Sequence, residues 1–112
     1  STHEPCTLCA SAIAWGGYDN YYYLFSHEDS RDSFQIGHDL KILEQLFRLG
    51  PGEYARQNDY WTAYGIVDLI GNCEAAERQT FLDQVQRIKQ AYAKMSATYQ
   101  AGKGDNPNIP LK

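Results

Sequence analysis

Thr2-His3-Glu4-Pro5-Cys6-Thr7-Leu8-Cys9-Ala10-Ser11-Ala12-Ile13-Ala14-Trp15 is the stretch whose reading decides this chain. It has the pattern of a strand end turning straight into a helix. Proline suits the first helical position, where its missing N–H would have no partner anyway. Ala10, Ala12 and Ala14 favour helix, and Gly16-Gly17 can supply the left-handed residue that closes one. Cys6 and Cys9 are three apart, so a helix carries both sulfurs on one face of its first turn. The helix dipole favours a thiolate there. Two thiolates held in this way make half of a tetrahedral zinc site.

Working outward, Tyr18-Asp19-Asn20 is a turn, and Tyr21 to Phe25 is apolar or aromatic on both alternating faces. Such a run suits a strand of a parallel sheet covered on both sides by helices. Strand, helix and strand in so short a span form a βαβ unit, whose crossover is expected to be right-handed. Sites in such sheets lie beyond the carboxyl ends of the strands and at helix N-termini. The ends of both strands therefore open on the edge that carries Cys6 and Cys9. Ser26 to Ser33 is expected to be a polar loop on that same edge.

Farther along, a helix is expected from Gly37-His38-Asp39 to Leu49, with Leu40, Leu43 and Phe47 on one stripe and Asp39 as its N-cap. Gly50-Pro51-Gly52 would end it. Tyr60 to Ile70 is read as a loop with a short strand or turn. Tyr60, Trp61 and Tyr64 are candidates to stack on a planar ligand, with packing in a core or interface as the competing role. Glu74 to Tyr99 is a long helix in which Phe81, Val85, Ile88, Tyr92, Met95 and Tyr99 form one seam. Residues 1–100 are expected to be the folded part, and 101–112 an extended or disordered tail.

Composition sets outer bounds. At 112 residues the chain supports one domain with a modest core. No apolar run approaches the roughly 18 residues of a membrane span. The net charge of −4 comes with no basic stripe, which disfavours a nucleic-acid partner. Three cysteines are an untidy number for a disulfide framework. Reduced thiols in the cytoplasm, two of them on zinc and Cys73 free, fit better.

Pro5-Cys6-x-x-Cys9 followed by Ala12-Ile13-x-Trp15 resembles the second half of the zinc signature of the cytidine/deoxycytidylate deaminase superfamily, in which H-x-E is followed later by P-C-x-x-C. The likeness is closest to the guanine deaminase and tRNA adenosine deaminase branch. It continues through Tyr21 to Phe25 and Glu28-Asp29, and more faintly to about Ile70. It implies an α/β fold: a three-layer α/β/α, cytidine deaminase-like architecture with a mixed sheet, of which this chain would be the C-terminal part. It also implies a zinc-dependent hydrolytic deaminase, with Zn2+ held by Cys6 and Cys9.

The third ligand and the proton-shuttling glutamate belong, in that family, to a His-x-Glu segment some tens of residues before the cysteines, hence upstream of Ser1. Asp29 lines up with an acidic residue near the family's substrate pocket and could accept from the amino and ring N–H edge of a purine. His3, Glu4 and Trp61 complete the expected substrate-binding set, with His3 lining the pocket rather than ligating zinc and Glu4 in a hydrogen-bonding role. Segments from a neighbouring subunit help close such pockets, so a homodimer is expected. The expected substrate is a purine base or nucleoside of guanine type, with cytidine or cytosine, or adenosine in tRNA, as alternatives. Two readings of another class stay open. One is a closed structural zinc module using His3 or Cys73 with Cys6 and Cys9. The other is a secreted binding protein stapled by a Cys6–Cys73 or Cys9–Cys73 disulfide.

Overall fold

The computed structural model describes residues 1–107. In order, the elements are helix α1 (Thr7–Trp15), strand β1 (Asn20–Tyr23), helix α2 (His27–Asp32), helix α3 (His38–Phe47), strand β2 (Thr62–Gly65), helix α4 (Ile66–Gly71), helix α5 (Ala75–Gly102) and a 3-10 turn (Lys103–Asp105). The fold is α/β, with a small sheet among many helices. β1 and β2 pair in parallel, with Tyr21 opposite Ala63 and Tyr23 opposite Gly65. His3 bridges Phe25 in the same sense, held by Glu4 N–H to Phe25 O and Phe25 N–H to Thr2 O, both 2.8 Å. The leading segment, α1 and β1 thus form the expected parallel unit. β1 and β2 run parallel across the α2–α3 connection. A mixed sheet is not what these pairings form: the antiparallel contact among the described residues is the isolated Gln57–Thr62 bridge.

Alternation in β1 separates two environments. Tyr21 and Tyr23 are buried with Trp61 and Ala63, under Ala10, Ile13, Ala14 and Tyr54. Tyr22 points the other way, is 46% exposed, and stacks on Tyr64 with ring centroids 5.1 Å apart. Coverage on both faces was the sequence expectation, and among the described residues that second face remains open. Amphipathic tyrosine tolerates either surroundings, which is why a continuous aromatic run did not reveal the difference.

Several boundaries move for local reasons. Cys6, with φ −67° and ψ 172°, is the N-cap of α1, so Thr7 rather than Pro5 is the first helical residue. Gly17 takes the left-handed conformation after α1, at φ 72°. Ser26 to Ser33 is a helix rather than a loop: Ser26 caps α2 and forms a reciprocal capping box with Asp29. Asp39 is not the N-cap of α3. That position belongs to Gly37, and Arg48 ends the helix in the left-handed region at φ 58°, ahead of Gly50-Pro51-Gly52.

α5 carries no buried residue. Its inner face is the half-buried row Val85, Lys89, Tyr92, Ser96 and Gln100, while Phe81, Ile88, Met95 and Tyr99 of the expected seam are exposed. Docking is partly polar: Ser96 Oγ donates to Phe34 O, and Gln100 Nε2 donates to Gln35 O at 2.9 Å. The helix also runs past Tyr99 into residues 101–105, part of the expected tail. The rest of that tail, 108–112, lies outside the described residues. No described helix is long and apolar enough to cross a membrane.

Candidate functional site

α1 projects from the sheet edge where the leading segment and β1 both end, which puts Cys6 and Cys9 at the predicted place. Cys6 is half-buried, Cys9 is exposed, and both are free, as is Cys73. The Cys9 thiol is pushed up from its ordinary value, first by its hydrogen bond with Cys6, then by burial and by the negative charges of Cys6 and Asp39. This corrects the expectation drawn from the helix dipole. The bond with Cys6 and burial favour the neutral thiol ahead of any charge effect.

Beside Cys6 lies a groove of about 270 Å³, close to the lower end of ligand sites. One wall is the start of α1 (Pro5, Cys6, Thr7, Ala10, Ser11), the second is α3 (Asp39, Leu43, Phe47), and the third is the 49–61 connection with Tyr54, Asn58 and Trp61. His27 forms part of the lining. Trp61 is 9% exposed and packs edge-on against Tyr21 at 5.1 Å, so it is at once core and cavity wall. Asn58 Oδ1 accepts the backbone N–H of Trp61 at 3.1 Å and holds it there. Tyr60 is 71% exposed, and neither it nor Tyr64 lines the groove.

Glu4 is the polar centre behind the groove. Its side chain is fully buried. Oε2 accepts the His27 N–H at 2.8 Å. Oε1 accepts from Tyr54 Oη and from Arg56 Nη2, the latter at 3.2 Å. Burial first, and then the charge of Glu4, push Tyr23 up to about 12. Burial and the bond to Glu4 drive Tyr54 far above its ordinary value as well. Both oxygens of Glu4 are thus taken by protein donors.

Asp29 is similarly committed. Oδ2 takes the backbone N–H and hydroxyl of Ser26 at 3.1 and 3.2 Å, and Oδ1 takes Lys89 Nζ at 2.9 Å. It does not line the groove. His3 is packed in an aromatic cage of Phe25, Phe34 and Tyr92, with centroids 5.0–5.3 Å away, and does not line the groove either. Its Nε2 is buried without a hydrogen-bond partner.

Of the six residues singled out in the sequence, the groove therefore gathers Cys6 and Trp61, with Cys9 one turn along α1. His3, Glu4 and Asp29 stand outside its lining. Lining residues that escaped the sequence reading in this role include His27, Asp39, Leu43, Phe47, Tyr54 and Asn58. Asp39 has no side-chain hydrogen bond or ion pair among the described residues, and its charge reaches Cys9. Nothing local marks His27 or Tyr54, because their partners lie twenty to fifty positions away.

The thiol pair fits half of a zinc donor set. Among the described residues, no cluster of three or more His, Cys, Asp or Glu side chains is placed to hold a metal ion. No protein-family model, curated protein or solved structure matches the chain.

Proposed function

We propose that this chain is the C-terminal part of a zinc-dependent deaminase of a purine base or nucleoside, and that its α/β unit belongs to a three-layer, cytidine deaminase-like domain. The observation that carries the reading is the pair Cys6 and Cys9 at the start of α1, with Cys6 lining a groove of about 270 Å³. Cys6 and Cys9, with a histidine from a His-x-Glu segment, would hold zinc, and the metal would supply Lewis-acid activation of water near neutral pH.

The residues of this chain bind and orient the ring. Trp61, Phe47 and Leu43 offer flat and aliphatic surface to a planar ligand. Asp39, acceptor-only and unpaired, takes the amino or ring N–H edge, the role that the sequence suggested for Asp29. The acidic balance of the chain argues for a small substrate rather than a polyanion. The open sheet face at Tyr22 and Tyr64 is the side that a third layer would cover.

The test uses the full-length protein: zinc content, and ammonia release from guanine, adenosine, cytosine, cytidine and a tRNA anticodon stem-loop. One zinc per chain and release from a purine base or nucleoside are expected, both lost in Cys6→Ala and Cys9→Ala and both kept in Cys73→Ser. Stoichiometric zinc in the Cys6→Ala, Cys9→Ala double variant, or zinc-loaded protein that releases no ammonia from any of the five, would sink the proposal.

A further inference from the structure

We infer that His27 is a positioning residue for Cys6, a role that rests on the reading of Cys6 as a zinc ligand. His27 is 5% exposed and all its polar groups are engaged. Its Nδ1 lies 3.2 Å from the backbone N of Gly52. A peptide N–H can only donate, so Nδ1 is the acceptor and carries no proton. The neutral ring then holds its proton on Nε2, which donates to the carbonyl of Pro5 at 3.1 Å. Glu4 Oε2 stands 3.8 Å from Nδ1, too far for a hydrogen bond that would favour the other tautomer. That oxygen already accepts the backbone N–H of His27.

The consequence lies in the peptide plane. Pro5 O and Cys6 N belong to one rigid unit, so the histidine fixes the plane on the N-terminal side of Cys6. Ala10 N–H donates to Cys6 O at 2.8 Å and fixes the plane on the other side. The Cys6 α-carbon hangs between two anchored planes, which set the direction of its Cα–Cβ bond and leave the sulfur only the staggered positions about that bond. α1 supplies one anchor by itself. The other comes from α2 through a single side chain, and without it the buried Pro5 carbonyl has no partner. Outer contacts of this kind orient metal ligands.

His27→Gln and His27→Asn separate the two ring bonds. A glutamine amide N reaches the place of Nε2 and can still donate to Pro5, whereas an asparagine oxygen sits near Nδ1 and can accept only from Gly52. The measurement is Co2+ affinity of the full-length protein, read by thiolate-to-metal charge-transfer absorption, with circular dichroism as the check on folding. Affinity near wild type is expected for His27→Gln, and about 10- to 100-fold weaker for His27→Asn. Equal affinities in the two variants, or the reverse order, overturn the inference while leaving Cys6 a ligand. Wild type that takes up no Co2+ overturns the ligand reading, and this one with it. Should a variant unfold, long-range ¹H–¹⁵N correlation on wild type decides: a proton on Nε2 is expected, and one on Nδ1 overturns the role.

Discussion

The backbone N–H of His27 donates to Oε2 of Glu4 at 2.8 Å, joining the first turn of α2 to the segment that enters α1. The bond places a carboxylate at a helix N-terminus, where the free N–H groups and the dipole favour negative charge. Arg56 and Tyr54 close around the other oxygen, so one side chain holds three separated segments of the chain together.

Glu4→Gln should therefore be costly although it is nearly isosteric. Its NH2 group would face donors and leave at least one buried group unpaired. A loss of about 3 kcal/mol is expected, tempered because Arg56 is partly solvated. Urea unfolding measures it. A loss below about 0.5 kcal/mol, the usual range for surface changes, would mean that the carboxylate organises nothing.

Asp29 and Lys89 predict an acid-sensitive tie between α2 and α5. Burial pushes the Asp29 carboxyl up, but the bonds from Lys89 and Ser26 prevail and hold it below the usual carboxylate range. A lowered folded-state value means stability that is present above the ordinary value of about 3.9 and lost as pH falls through the lowered one. Lys89 is 37% exposed at its side chain, so the ion pair is worth about 1 kcal/mol at most. Asp29→Asn should flatten that acid limb in a stability–pH profile. An unchanged limb would show the pair to be idle.

His3 predicts a second pH effect nearer neutrality. Burial lowers its value, and Asp29 only partly offsets this. The unfolded chain takes up the proton near pH 6.5 while the folded chain resists, so stability is full above about 6.5 and declines as pH drops toward the folded-state value. His3→Phe should remove this decline. Because Nε2 has no partner, the change should cost little or even stabilise at pH 8. Marked destabilisation there would show that the 3.2 Å bond of Nδ1 with Thr2 Oγ1 outweighs relief of the unpaired Nε2.

Asp39 and Asp29 can be ranked directly. Asp39→Asn should lower kcat/KM on the best substrate by about 2- to 12-fold, the equivalent of about 0.5–1.5 kcal/mol for one hydrogen bond, because Asp39 is exposed and water can replace a lost acceptor. Asp29→Asn should leave kcat/KM near wild type at neutral pH. The opposite ranking would return the recognition role to Asp29.

What could be read in advance was local. The Pro-Cys-x-x-Cys helix, its end at Gly16-Gly17, the Leu40/Leu43 stripe of α3 and the length of α5 depend on neighbours within four residues, and their signals are complete in the sequence. α2 was missed because serine and aspartate three apart also suit a loop, and the capping box exists only if the helix forms.

Residue spacing alone puts two thiols on one helical turn after a strand end and makes the chain α/β. Tertiary structure alone decided which carboxylate is free. Glu4, Asp29 and Asp39 look alike in one dimension, yet two are occupied by donors from distant segments, Arg56 and Lys89, and the third lines the groove. Availability of a charged group is set by what packs against it across the fold. Those partners are brought in by packing around the buried Tyr21, Tyr23, Phe25 and Phe34, and which distant segments pack there has no reading in residue spacing.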